Sequence, residues 1–411
     1  MTYETVRAAQ RAAAPWPYAE LDVRALHAAG WRPTPFHDVV LKVHQRCNLA
    51  CDYCYVYELA DQSWRGRPVS MTPEVWRAAL ARLGDHVRRH ELSGVRVVLH
   101  GGEPLLYGAD RLGELAQAVR VALPESCQVE IGLQTNGVRL DEPTVATLRQ
   151  HRIRVGVSVD GVRADHDRHR RMPNGSGSFA AVAHGLEILR RPENSQVYAG
   201  ILCTVAPDTD PIACYEELLA FQPPALDFLL PHANWDQPPW SPPGTSTPYA
   251  RWLSAVFDRW FSAGGPVPIK LFDDIVRLIL SGASHSEQVG LSPSGVLVIE
   301  SDGTIEQVDA LKSAYEGACA TGLDVHHDEL DAALADPGIV ARQIGIHALS
   351  PACLECGLHR VCGGGHYAHR YRAGRGFRHP SVYCADLTEL IKHVHTRVAD
   401  DLGPARTSGA G

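Results

Sequence analysis

The sequence predicts an α/β protein whose six β–α units form a parallel sheet covered by helices, either open or closed into a partial (β/α)6 barrel of TIM type. Three observations point there. From Phe36 to about Trp235, short β-branched runs alternate with longer amphipathic stretches. Helix-start signals punctuate the alternation. The chemically distinctive residues fall directly after the runs, where loops at strand ends collect the chemistry of such folds.

The runs are DVVLKV (38–43), VRVVLH (95–100), VEIGLQ (129–134), IRVGVSVD (153–160), YAGILCTV (198–205) and LDFLLP (226–231). Between the first two, residues 73–90 have a helical pattern, with Thr72 as cap and Pro73 at the first helical position. Residues 179–191 form another helical stretch. Cys47 follows the first run, Gly101-Gly102-Glu103 the second and Asn136 the third, while Asp160 ends the fourth. DQPPWSPPGTSTP (236–248) is a proline-rich break, followed by helical patterns near 249–263 and 269–280. GVLVIESDGTIEQVD (295–309) reads as a hairpin turning at Asp302-Gly303. Residues 353–384 lack periodicity but are dense in Gly, Cys and His, as in small folds held by metal. The expected divisions are an N-terminal extension (1–35), a β/α core (36–235), a helical bridge (236–294), a cysteine-bearing domain (295–400) and a disordered tail (401–411).

The 411-residue chain is 45% apolar and carries a formal charge of −8. That balance argues against a nucleic-acid binder, which needs a basic surface. The first residues lack a signal-peptide apolar region, and no run reaches the roughly eighteen apolar residues that span a bilayer. A cytoplasmic, soluble protein with no membrane partner is expected. Most of the eleven cysteines are clustered, which in a reducing compartment reads as metal or redox chemistry. Cys127, Cys203, Cys214 and Cys319 stand apart and read as small buried hydrophobes.

Cys47, Cys51 and Cys54 lie on one loop at C-x3-C-x2-C spacing. Three thiolates can bind three irons of a cubane cluster and leave the fourth iron open, and an open coordination position marks a reactive metal centre. The alternative is a structural zinc with His44 as fourth ligand; the loop position and Tyr53 favour the cluster. Near the other end, Cys353, Cys356, Cys362 and Cys384 make a four-ligand set, which taken alone suits a zinc ion or a closed cluster.

C-x3-C-x-aromatic-C followed by GGEPL (101–105) resembles the radical S-adenosylmethionine (radical SAM) superfamily. The resemblance covers nearly the whole chain, and it implies a radical SAM barrel. It further implies that SAM chelates the open iron and is cleaved reductively to a 5′-deoxyadenosyl radical, which takes hydrogen from the substrate. Tyr53, His100, Gly101, Gly102, Glu103, Asn136, Ser158, Asp160, Arg170 and Cys203 then become cofactor-site residues. Gly101 to Glu103 would hold the methionyl amine and Ser158 the ribose. Arg170 would pair with the SAM carboxylate, and the Cys203 main chain would meet the adenine. Arg170 also reads as part of a solvated charge run, and Asn136 as a brace for a strand-end turn. The C-terminal cysteines resemble the SPASM extension of peptide-modifying radical SAM enzymes, whose full version carries two auxiliary clusters. Here His366 and Val308 stand where further cysteines are expected, so the inner cluster is expected to be lost. Two [4Fe–4S] clusters are expected, one binding SAM and one auxiliary.

Asp309 aligns with an acid proposed as the base in sulfatase maturases, which also reads as a hairpin-end aspartate. SDGTIEQVDALKSAYEGA, RVCGGGHYAHRY, GFRHPSVYCADL and FLLPHANW together resemble Fxs-type (FxsB family) radical SAM/SPASM maturases. That likeness implies a ribosomally made precursor peptide as substrate and a C–C bond between an aromatic ring carbon and the Cβ of the residue two positions along, a three-residue cyclophane. It also implies an electron donor such as flavodoxin or ferredoxin. The alternative is another SPASM-type peptide oxidation, by thioether formation or serine/cysteine oxidation. His232, Asn234 and Trp235 are candidates for the substrate mouth. The roughly 35 residues before the first strand are too few for a separate leader-binding domain.

Overall fold

The computed structural model describes residues 21–402. Residues 1–20 of the expected N-terminal extension and 403–411 of the expected tail lie outside them.

Six parallel strands follow the six runs: β1 (Asp38–His44), β2 (Gly94–Gly101), β3 (Gln128–Thr135), β4 (Arg154–Ser158), β5 (Tyr198–Thr204) and β6 (Leu226–Leu229). They pair in sequence order, β1 with β2 through β5 with β6. Parallel neighbours need crossover helices, and these cover the sheet. The helix Pro73–Arg89 starts as the sequence requires, with Thr72 accepting a bond from the Val75 N–H at 3.4 Å and Pro73 in its first turn. Valines and leucines of β1 to β4, with Ile201 of β5 and Leu226 of β6, form one core with the inward faces of the helices.

The hairpin does not stand apart from the barrel sheet. β7 (Val296–Ile299) lies parallel to β1, from Asp38 opposite Val296 to Leu41 opposite Ile299, and β8 (Thr304–Glu306) and β9 (Ala320–Asp324) follow antiparallel. Among the described residues one nine-stranded sheet results, ordered β6-β5-β4-β3-β2-β1-β7-β8-β9. β1 is therefore central and buried along almost its whole length, including Lys42. At the turn, Asp302 accepts from the Thr304 N–H at 3.0 Å, and Gly303 takes a φ of 95°.

β4 and β6 each stop two residues short of their apolar runs. β4 ends at Ser158 and β6 at Leu229, which frees Asp160 and His232 to sit in loops above the sheet. After the proline-rich break, the helix Pro248–Ser262 packs against the final helix Cys384–Leu402. Asp386 accepts there from the Ala250 N–H at 2.9 Å, and Phe257 meets His393 edge-on.

Candidate active site

The loop after β1 carries Cys47, Cys51 and Cys54, and all three thiols line a cavity of about 260 Å³ at the strand ends. Main-chain bonds hold the loop on two sides. Ala50 N–H donates to Arg171 O at 2.7 Å, and Glu103 N–H to Arg46 O at 3.0 Å. The second contact explains the glycines after β2. A Cβ on Gly102 would overlap the Tyr57 hydroxyl and come within 2.7 Å of the Arg46 carbonyl carbon. Burial pushes the Cys47 thiol up to about 11 and the Cys51 thiol up to about 12, and raises Cys54 as well. Such thiols keep their protons at neutral pH until a metal displaces them. His44, the alternative zinc ligand, is not on the cavity wall.

Glu103 points away from the cavity. Its carboxylate accepts from Leu105 N–H at 2.9 Å, Thr135 Oγ1 at 2.7 Å and Asn136 N–H at 2.8 Å, so it ties the end of β2 to the end of β3. Asn136 continues that tie to the thiol loop, donating through Nδ2 to Asn48 Oδ1 at 2.8 Å and to Cys47 Sγ at 3.6 Å. Ser158 lines the cavity and accepts from Gln134 Nε2 at 2.9 Å.

Tyr53, Asp160 and Arg170 form one cluster. The Tyr53 hydroxyl donates to Asp160 and accepts from Arg170 Nη1 at 2.6 Å, while Asp160 also takes the Thr204 N–H at 3.0 Å. Arg170 is not part of a solvated run: it is 8% exposed, and its Nε is buried without a partner. A buried donor left unmade is costly, and a carboxylate entering this cavity would satisfy it. With three thiols on the same wall, the donor set fits both an iron–sulfur cluster and the amino-acid end of SAM. A second cavity, of about 420 Å³, shares Tyr53, Thr204 and Pro231 with the first and includes Cys203 in its lining. The Cys203 side chain is 1% exposed and lies 3.8 Å from Cys214 Sγ, as expected of a packed hydrophobe.

His100 continues the wall, and Lys42 and Asp309 lie behind it. Lys42 Nζ lies 2.5 Å from Asp309 Oδ2 and 3.3 Å from His100 Nδ1. Burial and then Lys42 lower the His100 pKa to about 4, so that the imidazole is neutral. Burial opposes ionisation of Asp309, but Lys42 and Lys312 outweigh it and hold the carboxyl well below the usual carboxylate range. Asp309 Oδ1 remains buried without a partner.

The C-terminal cysteines converge from three helices. Cys353 lies in Pro351–Leu354, Cys362 ends His359–Cys362 and Cys384 begins the last helix, with Cys356 between the first two. Gly363 turns the chain at a φ of 62°, where a Cβ would overlap the Gly290 carbonyl oxygen. Burial and then the neighbouring Cys384 and Cys353 push the Cys362 thiol up to about 11, as expected of ligands gathered in one place. Among the described residues, no second cysteine set stands beside Val308. The Cys319 thiol donates to Val308 O at 3.3 Å, and Lys312 is paired with Glu300 at 2.7 Å.

Sequence reasoning missed Lys42, Asn48, Tyr55 and His369. The signal for Lys42 was present, a lone cation within the apolar run VVLKV. His369 and Tyr55 gave none, because only the fold brings them to His232, whose ring lies 4.7 Å from Tyr55 and 6.2 Å from His369.

Comparison with known proteins agrees with this geometry. Residues 41–202 match the model of the Radical SAM superfamily. A cysteine-type anaerobic sulfatase-maturating enzyme of Clostridium perfringens is 25% identical over 362 residues, 86% of this chain and 94% of that protein. The solved structure described as native anSMEcpe with bound AdoMet superposes with a TM-score of 0.76 at 22% identity, covering 89% of this chain and 98% of that one. SuiB of Streptococcus suis bound to its precursor peptide SuiA superposes at 0.57 and 16% identity, covering 93% and 81%. With its parallel sheet and its three-thiol loop at the strand ends, the segment 41–202 is similar to Radical SAM superfamily domains.

Proposed function

We propose that this enzyme matures a ribosomally synthesised peptide, joining an aromatic ring carbon to the Cβ of the residue two positions along. The observation that carries the reading is one cavity wall that holds three open-site thiols, Arg170, His100 and His232, with Lys42 and Asp309 packed behind His100 and a separate four-cysteine set. Proteins of similar sequence or fold support a peptide as partner, since one matures sulfatases and another was solved with its precursor peptide.

Bound at Cys47, Cys51 and Cys54, a [4Fe–4S] cluster with SAM would supply a 5′-deoxyadenosyl radical for hydrogen abstraction. Arg170 takes the SAM carboxylate through its unpartnered Nε, held in place by Tyr53 and Asp160. Gly101 and Gly102 let the backbone approach closely, and Ser158 bonds the ribose. One hydrogen atom leaves the substrate Cβ. After the ring is attacked, one proton and one electron leave, for a net loss of two hydrogens. Asp309 offers Oδ1 to that proton. Cys353, Cys356, Cys362 and Cys384 would hold a second [4Fe–4S] cluster, which would supply an acceptor for the electron, and a flavodoxin or ferredoxin would supply the electron that starts the next turnover.

Co-expression with a small open reading frame beside the gene, followed by tandem mass spectrometry, tests this. The expected product has lost two hydrogens within an aromatic-x-residue triplet. An unchanged peptide or a crosslink through sulfur overturns it. The 25% identity with a cysteine-type sulfatase-maturating enzyme favours one other reading, oxidation of a cysteine or serine, which would place the mass change on that residue.

A further inference from the structure

Three histidines from two distant parts of the chain meet where His232 borders the cavity. His232 follows β6 and lines the cavity, whereas His366 and His369 come from the segment after the Gly363-Gly364-Gly365 turn. Their ring centroids are 5.0 Å apart for His366 and His369, 6.0 Å for His232 and His366, and 6.2 Å for His232 and His369. Four ring nitrogens are buried without a hydrogen-bond partner: His232 Nδ1, His366 Nδ1 and both nitrogens of His369. His369 is 3% exposed.

Imidazoles gathered this way without partners call for a ligand. Each neutral ring has one lone-pair nitrogen, and leaving such a group unmet in the interior is costly. Protonation is not the remedy. Burial lowers His232 to about 3 and His366 to about 4, and burial with the neighbouring His366 and His232 holds His369 well below the ordinary imidazole value. Neutral imidazole is the form that binds metal. In a tetrahedral site with metal–nitrogen bonds of about 2.1 Å, ring centroids stand about 5 Å apart. His366 and His369 have that centroid separation, but the three rings do not place one nitrogen each within 4.8 Å of the others, so metal binding requires the rings to turn and His232 to close by about 1 Å.

We propose that His232, His366 and His369 form a three-imidazole site for a divalent transition-metal ion, zinc being the representative, with one coordination position left open. His366 stands where a further cluster cysteine is expected, so the protein would keep a metal on this side of the cavity while changing its kind. Three nitrogen ligands with an open fourth position suit a Lewis acid that holds a carbonyl or carboxylate oxygen. The site goes beyond the peptide reading and does not depend on it.

The test uses the full chain, purified anaerobically with its iron–sulfur sites filled so that the cysteines are not free for zinc. Zinc is added, loosely held metal is dialysed away, and the remainder is counted and examined by zinc-edge X-ray absorption. We expect about one zinc per chain in a nitrogen/oxygen shell near 2.0 Å, with imidazole outer-shell scattering and no sulfur near 2.3 Å. H369Q should bind zinc at least tenfold more weakly at unchanged iron content. No zinc after dialysis, a sulfur shell, or equal retention by the H232Q/H366Q/H369Q triple variant overturns the site. If the variants lose iron, the wild-type zinc count and shell decide alone. Neither readout involves peptide, so failure here is distinct from failure of the peptide reading.

Discussion

Lys42 in β1 and Asp309 after β8 lie 267 positions apart and meet at 2.5 Å in the interior. Lys42 is fully buried, and the Asp309 side chain is 12% exposed. Removing one member of such a pair strands the other charge out of water. K42M should therefore destabilise the protein by about 3–5 kcal/mol, read by anaerobic denaturant unfolding, and K42M/D309L should recover part of that loss. Equal stability of K42M and wild type would show that the pair contributes nothing.

The same pair sets a pH dependence. Asp309 is held below the ordinary carboxylate range because Lys42 and Lys312 outweigh burial. Its contribution is complete above the unfolded pKa of about 4 and is lost as pH falls below that value. The stability gap between wild type and D309N should thus narrow as pH falls below about 4. A gap that widens on acidification would contradict the assignment.

Arg170 should govern SAM affinity without governing iron. R170Q leaves the thiol loop's ligands in place but removes the unpartnered Nε, so SAM binding by equilibrium dialysis should weaken about 10–100-fold, or about 1.4–2.8 kcal/mol, at constant iron content. Y53F, which removes the hydroxyl between Arg170 and Asp160, should give a smaller loss in the same direction.

Iron counting separates the two cysteine sets. Wild type should hold about eight irons, and both C51A and C356A about four, by cubane stoichiometry. C51A should abolish SAM cleavage, whereas C356A should retain cleavage without peptide and lose peptide turnover. About twelve irons in wild type would restore the inner cluster, and zinc in place of iron would remove the radical reading altogether.

Gly102 tests the close approach of β2's end to the thiol loop. G102A should lower the melting temperature and iron retention together. Y57F should not rescue it, because the Arg46 backbone would still lie 2.7 Å from the new Cβ.

Much of this site was legible because its parts are local. C-x3-C-x2-C fits on one loop, each of the six strands carries its own apolar run, and a strand end followed by glycines or a lone polar residue marks the functional rim. Even so, Glu103 and Arg170 show the limit. The sequence placed both at the cofactor, yet Glu103 points away to tie β2 to β3, whereas Arg170 is buried with an unmet donor.

By itself, then, the sequence determined the β/α order, the two cysteine sets and the absence of cysteines between 214 and 319, since each depends on spacing within a short segment. Tertiary structure decided that β7 extends the barrel sheet beside β1, that Lys42 meets Asp309, and that His232 joins His366 and His369. These contacts join residues more than a hundred positions apart. No periodicity encodes them, and they arise only when parallel strands align in register and the C-terminal segment folds back over the strand ends.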